Sequence, residues 1–316
     1  MMAKKPTLIL NPVAGPVWRR RKSRQLIDHL KTLFPDLTVH PTGRAGDGER
    51  LARMLSSGAH DLILAAGGDG TYHEVINGMR GSAVPLGILP MGTGNSLIRE
   101  VGLPTNPIKA ATAIRNGVVR PIYLGQIGPA SNASGRGRLH PASPNQRLFI
   151  LMVGAGFDAS IVRSVPPGPK KLGMLAYMAA GIIQLFRYDY STVTFRVDGR
   201  EVKGTSGITA KARCYGGPFA IVPHVRLDRP ELVLCLFKGR GPLTYMKYTL
   251  GVIAGLHHRM KDVEFHHGRS VEIESPVPLQ ADGEAVGTAP ARLTIVPETL
   301  NLVFPGTPPA SYRSSS

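Results

Sequence analysis

The chain has 316 residues, 42% of them hydrophobic and 19% charged, which excludes disorder and favours two domains, or one domain with a large insertion. Lysine and arginine outnumber aspartate and glutamate by 38 to 21, a net charge of +17 that attracts polyanions such as nucleotide phosphates, nucleic acid or an anionic membrane leaflet. With 6% aromatics and one Trp there is no basic stretch interleaved with rings, so a nucleic-acid platform is disfavoured; two cysteines, Cys214 and Cys235, cannot staple so long a chain and point to a reducing cytoplasm.

The first apolar run follows Lys4 and Lys5 and is too short for a signal-peptide core, so Thr7 to Leu10 reads as a strand. A helix over Arg19 to Leu33 follows. It carries Arg19, Arg20, Arg21, Lys22 and Arg24, a cluster that forms a solvated face, meets an anionic membrane or neutralises nucleotide phosphates. Strands at Leu37 to His40, Asp61 to Ala66 and Leu86 to Leu89 then alternate with helices at Glu49 to Ser56, Thr71 to Met79 and Ser96 to Val101. This βαβ series predicts a mostly parallel sheet with helices on both faces.

After about Val119 the texture becomes β-rich. Segments Arg147 to Val153, Ser191 to Val197, Glu231 to Phe237, Ser270 to Glu274 and Arg292 to Val296 predict an antiparallel second domain. Gly128 to Gln146 reads as a surface excursion, and its sequon Asn132-Ala133-Ser134 has no meaning in a cytosolic protein. Leu172 to Phe186, the longest apolar stretch, would span roughly 22 Å as a helix, short of the ~30 Å hydrocarbon layer. It reads as a core-packing helix or, through Met174, Tyr177, Met178, Ile182 and Phe186, as the lining of an acyl-chain pocket. The pairs His257-His258 and His266-His267 read as exposed loop histidines rather than a zinc site, because neighbours in an extended strand face opposite ways. Tyr312 to Ser316 reads as a frayed tail.

Two glycine loops carry the chemistry. Asp61 to Asn77 runs an apolar strand into Gly67-Gly68-Asp69-Gly70-Thr71 and on into a helical pattern. Glycine lets backbone amides approach phosphate oxygens, and the helix aims unpaired N–H groups and its positive dipole end at the same spot. The plain alternative is an ordinary βα turn with Asp69 as a cap. Gly87 to Ser96 repeats the pattern, with Thr93 and Asn95 offering a hydroxyl and an amide to a phosphate or ribose. On neighbouring parallel strands the two loops would face one crevice, where open α/β sheets bind ligands. The third glycine of the dinucleotide fingerprint, a Walker Gly-Lys-Ser/Thr and an HRD loop are all missing, which argues against a dehydrogenase, a P-loop ATPase and a protein kinase.

Asn11-Pro12-Val13-Ala14-Gly15, Thr42 before a Gly-rich turn, Gly67-Gly68-Asp69-Gly70-Thr71 with Glu74, Leu89-Pro90-Met91-Gly92-Thr93-Gly94-Asn95, and Asp282-Gly283-Glu284 follow one another across nearly the whole chain. Together they resemble the diacylglycerol kinase catalytic domain family, which includes bacterial lipid kinases and, more distantly, sphingosine kinases. NAD kinases share the first glycine loop and differ at the second. The resemblance implies an α/β nucleotide-binding domain over 1–124, an antiparallel β-sandwich domain over 125–305 and a tail over 306–316, with nucleotide between the two domains. It also implies Mg-ATP-dependent phosphorylation of a lipid hydroxyl by a cytoplasmic protein in peripheral membrane contact. Carried over by position, Asn11, Thr42, Gly67, Gly68, Asp69, Gly70, Thr71, Glu74, Gly92, Thr93 and Asn95 would hold ATP, Asp69 would orient the metal–ATP complex and Glu284 would be the general base. Read without the family, Asp282-Gly283 is an ordinary hairpin signal.

The chain also departs from the family. Ser96, Tyr123 and Arg229 stand where its members usually carry acidic residues, or an acidic metal loop beside Asp228. Asp228 and Glu231 are therefore expected to pair with basic side chains nearby. The departures keep a second reading open, a protein that binds nucleotide or lipid without turnover, and NAD as acceptor is a third.

Overall fold

The computed structural model describes residues 5–15, 20–130, 138–139, 147–165, 173–215, 217, 219–307, 309 and 312, without the side chains of 20–22, 138–139 and 173–176. Two compact units emerge: Met1–Tyr123 together with Pro297–Ser316, and Leu124–Val296. The expected second domain over 125–305 and separate tail over 306–316 are corrected accordingly, since the chain returns to the first unit at Pro297.

In the first unit, β1 (Pro6–Leu10), α1 (Arg20–Leu33), β2 (Thr38–Pro41), α2 (Asp47–Ser56), β3 (Leu62–Gly67), α3 (Asp69–Gly78), β4 (Leu86–Pro90) and α4 (Ser96–Val101) alternate as expected. The strands lie in the order β2-β1-β3-β4, all parallel. Every residue of β1, β3 and β4 is buried, the mark of strands covered on both faces, and a continuous apolar run is the sequence that suits them. One helix, α5 (Pro107–Arg115), has no counterpart among the expected elements. Its cues were present nonetheless: the Asn106 side chain accepts hydrogen bonds from the amides of Ile108 and Lys109, and Pro107 opens the first turn.

The second unit begins within β5 (Val118–Pro129). It continues through β6 (Arg138–Leu139), β7 (Arg147–Phe149), β8 (Met152–Ala155), α6 (Phe157–Ser164), α7 (Gly173–Arg187), β9 (Val193–Val197), β10 (Arg200–Gly204) and β11 (Ser206–Ala210). After the short hairpin β12 (Cys214–Tyr215) and β13 (Phe219–Ala220) come β14 (Leu232–Phe237), α8 (Pro242–Ile253), β15 (Val263–Gly268), β16 (Ser270–Ile273), β17 (Pro278–Ala281), β18 (Glu284–Thr288) and β19 (Ala291–Phe304). One antiparallel sheet runs β15-β14-β11-β8-β17-β18-β6, and a second joins β10, β9, β16 and the first half of β19. Phe149, Phe195, Leu234, Val271, Leu279 and Leu293 are among the buried side chains of their shared core. In β9 only alternate residues are buried, as in a strand with one face on the core.

Several expectations are corrected here. Arg147 to Val153 is two strands, broken where the Asp282 carboxylate takes up the amides of Ile150, Leu151 and Met152, each at 2.9 Å. His257 is fully buried in a 3₁₀ turn, its Nε2 2.7 Å from the carbonyl oxygen of Ile221. His266 and His267 belong to β15, where they stand 3.1 Å from Glu264 and 3.4 Å from Glu231. Nor is α7 a core-packing helix, because Met178, Ile182 and Phe186 are exposed. Most of the Gly128 to Gln146 excursion, its sequon included, lies outside the described residues, as does Arg19 of the basic cluster.

Beyond Val296, β19 passes into the first unit, where Leu302 pairs with Leu86 of β4 in parallel. Tyr312, expected in a frayed tail, is 1% exposed and donates its hydroxyl proton to Glu100 at 2.7 Å, a carboxylate wholly buried. The expected result for Tyr312→Phe is a loss of about 1–3 kcal/mol, the cost of a buried acceptor short of a donor. A lower urea midpoint at unchanged m-value is the check; an unmoved midpoint rules out the anchor.

Candidate functional site

The two glycine loops meet at the carboxyl ends of β3 and β4, where Gly67 is paired with Pro90. The carbonyl oxygen of Gly67 accepts the amides of Met91 at 2.7 Å and Gly92 at 3.0 Å, so the second loop hangs directly on the first. Tyr72, fully buried, brings its hydroxyl to 2.9 Å from that same oxygen and 2.8 Å from the carbonyl oxygen of Leu89. Glycine is required by space: a Cβ on Gly92 would sit 2.6 Å from the Cα of Gly68, closer than carbon atoms approach. The N-cap of α3 is Gly68, which brings no side chain to the helix start. A helix N-terminus beside glycine backbone is a place that suits an anionic acceptor.

Around this cradle stand most of the residues singled out from the sequence. Asn11 follows β1 and donates its Nδ2 proton to the Thr71 hydroxyl at 3.0 Å. Thr42 follows β2, its amide on the carbonyl of Leu10 at 2.8 Å. Asn95 adopts a left-handed conformation with φ 51° and donates to the carbonyl of Gly92 at 2.9 Å, while its Oδ1 is buried without a hydrogen-bond partner. Thr93 is exposed beside it. Asp69 lies in the first loop, and its carboxylate accepts the amides of Ser96 at 3.0 Å and Leu97 at 3.2 Å. It therefore caps α4 from the neighbouring loop and locks the two loops together.

Glu74, on α3, reaches towards the start of α2. Its two carboxylate oxygens accept the amides of Gly46 and Gly48, each at 3.0 Å, so it holds the start of α2. Asp47 orders the preceding turn in the same way. The amides of Gly43 and Arg44 hold its carboxyl below the ordinary range.

In the second unit, β17 and β18 are joined by Asp282 and Gly283 at φ 49° and 84°, the left-handed pair of a two-residue hairpin turn. Glu284 follows, about half exposed and ion-paired with Arg147, a partner that nothing in the sequence marks. Beneath the turn lies a polar relay. The fully buried Gln280 donates to Asp158 at 2.7 Å through Nε2 and accepts the amide of Gly283 at 2.8 Å through Oε1. Asp228 has both oxygens on the guanidinium of Arg226, at 2.8 and 2.7 Å, and Glu231 faces His267, the local pairing expected for these two acids.

Burial pushes the Asp158 carboxyl up to about 6, against the pull of its hydrogen bonds from Gln280 and Tyr215. The folded chain thus holds this proton more tightly than the unfolded chain, whose value is near 3.8. The resulting stability is fully present below the unfolded value and is lost as pH rises through about 6. Between pH 7 and pH 4 the group is expected to add roughly 2 kcal/mol. Urea unfolding of wild type and Asp158→Asn across that range measures it: the wild type should gain stability relative to the variant on acidification, and parallel curves would refute the assignment.

Comparison with known proteins bears on the whole chain. Residues 5–127 match the family model described as diacylglycerol kinase catalytic domain, and residues 151–304 match that of the YegS C-terminal NAD kinase beta sandwich-like domain. A diacylglycerol kinase of Bacillus subtilis (strain 168) is 27% identical over 310 residues, covering 96% of this chain and 97% of that protein. A diacylglycerol kinase of Mycobacterium tuberculosis (strain CDC 1551 / Oshkosh) is 26% identical over 306 residues, covering 95% of each. The crystal structure of a diacylglycerol kinase from Bacillus anthracis str. Sterne superposes with a TM-score of 0.75 at 22% identity, over 96% of this chain and 98% of that one, a likeness of fold.

Proposed function

The chain belongs to the diacylglycerol kinase catalytic domain family, and on that premise we propose that it is a lipid kinase that transfers the γ-phosphoryl group of ATP to a hydroxyl of diacylglycerol or a similar neutral lipid. The observation that carries this reading is the pair of interlocked glycine loops beside the N-terminus of α3, whose N-cap is Gly68. Backbone amides there receive the phosphate oxygens, and the helix dipole favours their charge. Asn11 fixes the Thr71 hydroxyl at the rim, and the unpaired Asn95 Oδ1 offers an acceptor to a ribose or a metal-bound water.

The lipid hydroxyl oxygen attacks the γ-phosphorus, the bond from the γ-phosphorus to the β,γ-bridging oxygen breaks, and ADP leaves. Glu284 takes the hydroxyl proton. Arg147 orients its carboxylate for that step. Magnesium supplies neutralisation of the phosphate charge when bound. Its requirement for hard oxygen, met largely by phosphates and water, fits a cradle where Asp69 is the carboxylate at hand. Ser96 and Tyr123 replace further carboxylates, and the loss of one such supporting group costs about 10- to 100-fold in metal affinity or activity. Turnover is therefore slow.

No helix among the described residues is long and apolar enough to cross a membrane, so a cytoplasmic protein would reach its lipid by peripheral contact. The engagement of both Asp69 oxygens in capping α4, with Ser96 in place of an acid, favours one other reading, a nucleotide-binding protein without turnover. The test is incubation of purified protein with labelled ATP, Mg²⁺ and a panel of lipids in micelles, with NAD as a further acceptor. Label transferred to a lipid supports the kinase. ATP bound with no acceptor labelled supports the binding protein, and label on NAD alone overturns both.

A further inference from the structure

Helix α8 is anchored to its unit through the buried Tyr245, Tyr248 and Gly251, with Tyr245 packed against Phe157 and Tyr190 and Tyr248 against Phe237. On the opposite side Leu243, Met246, Leu250 and Ile253 are 45% to 76% exposed. Their spacing of three, four and three residues makes one continuous stripe. Leu256, also exposed, extends it past the helix, and Leu243, Met246, Lys247, Leu250, Leu256 and Met260 border an open concavity of about 390 Å³. The neighbouring α7 leaves Met178, Ile182 and Phe186 exposed as well. A helix apolar on both faces belongs inside a core or at a membrane interface, and here only one face has a core to meet.

Charge decides what covers the other. From Lys238 to Lys261 the sequence carries five cations, Lys238, Arg240, Lys247, Arg259 and Lys261, and no Asp or Glu. All five are exposed. Lys238 pairs with Glu264 and Lys247 lies 4.0 Å from Asp262, which leaves a surplus of positive charge around the stripe. A second copy of the chain laid face to face would bring these cations against one another. An anionic leaflet instead receives the apolar stripe between its headgroups and neutralises the surrounding charge.

We propose that the outer face of α8 is the surface on which this protein docks to an anionic lipid bilayer. The inference deepens the lipid-kinase reading and rests on it for its purpose, since a lipid acceptor is met at such a surface, but the docking itself requires no catalysis. It also assigns the contact to the second unit, whereas the basic cluster of Arg20 to Arg24 belongs to the sequence of the first.

The experiment is co-sedimentation of the full chain, without ATP, with vesicles of phosphatidylcholine alone or mixed with phosphatidylglycerol. Wild type should bind the mixed vesicles far more than the neutral ones. The triple variant Leu243→Ser, Leu250→Ser, Ile253→Ser and, separately, Lys247→Glu should each weaken partitioning by roughly tenfold or more. Because these positions are exposed, the urea midpoint should stay at the wild-type value, and so should turnover on a short-chain diacylglycerol below its micellar concentration. Wild-type binding by both variants, no binding by wild type, or a wild-type dimer that the triple variant turns into a monomer would each overturn the proposal. Docking through α8 with no phosphoryl transfer to any lipid would reject the kinase reading alone. Transfer to the soluble lipid, with vesicle binding indifferent to both variants, would reject the docking face alone.

Discussion

Glu284→Gln is expected to lower the turnover of lipid phosphorylation by roughly 10²- to 10⁴-fold, the contribution of a positioned general base. The substitution keeps the shape of the side chain and removes its ability to hold a proton. The hairpin should survive, because its turn is held by the Asp282 carboxylate on three amides and by Gln280 on Gly283, none of which involves Glu284. Loss of the half-exposed pair with Arg147 should cost at most about 1 kcal/mol. Steady-state rates on micellar diacylglycerol, with unfolding curves alongside, separate the two effects. Turnover within a few-fold of wild type would remove Glu284 from the chemistry and leave the hairpin a structural feature.

Gly92→Val should weaken ATP binding by roughly two orders of magnitude or more, since the cradle depends on Gly92 and Gly68 lying backbone against backbone. Forcing them apart also strains the amides of Met91 and Gly92 from the Gly67 carbonyl, and overpacking of this kind costs about 1–3 kcal/mol. Calorimetric titration with ATP reads the first effect and urea unfolding the second. Gly58→Ala serves as the control, because a Cβ there meets only ordinary contacts, the nearest at 3.5 Å. Unchanged affinity in the Gly92 variant would mean that phosphate is held elsewhere.

The first unit was readable because its strands are buried on both faces and its helices carry amphipathic periods, so Leu62 to Gly67 or Gln25 to Leu33 announce themselves without any neighbour. The glycine loops were equally plain, their residue types being dictated by backbone geometry at one place. What stayed hidden depends on partners distant in sequence. Asp69 caps a helix 27 residues on, and Glu74 reaches back 26 residues to the start of α2, so neither role shows in its own neighbourhood. Arg147 meets Glu284 and Asp282 meets Ile150 across more than 130 positions. The reading of α7 as a core helix failed for another reason: an apolar sequence shows what a side chain prefers to meet and is silent on whether protein or lipid meets it.

Because β19 supplies the partner of β4 only at Leu302, the first unit is discontinuous, and its sheet takes in a strand that leaves the ribosome after β5 to β18. At ~5–20 residues per second, the interval between synthesis of Leu86 and of Leu302 is roughly 10–40 s. Through that time β4 has an open edge, the buried site for Phe304 is empty and the Glu100 carboxylate waits for Tyr312. The sandwich of the second unit waits almost as long, because its second sheet takes in the first half of β19 as the partner of β16. Vectorial synthesis thus leaves the sheets of both units short of one shared strand until β19 emerges, which couples competence to bind ATP to the arrival of that strand.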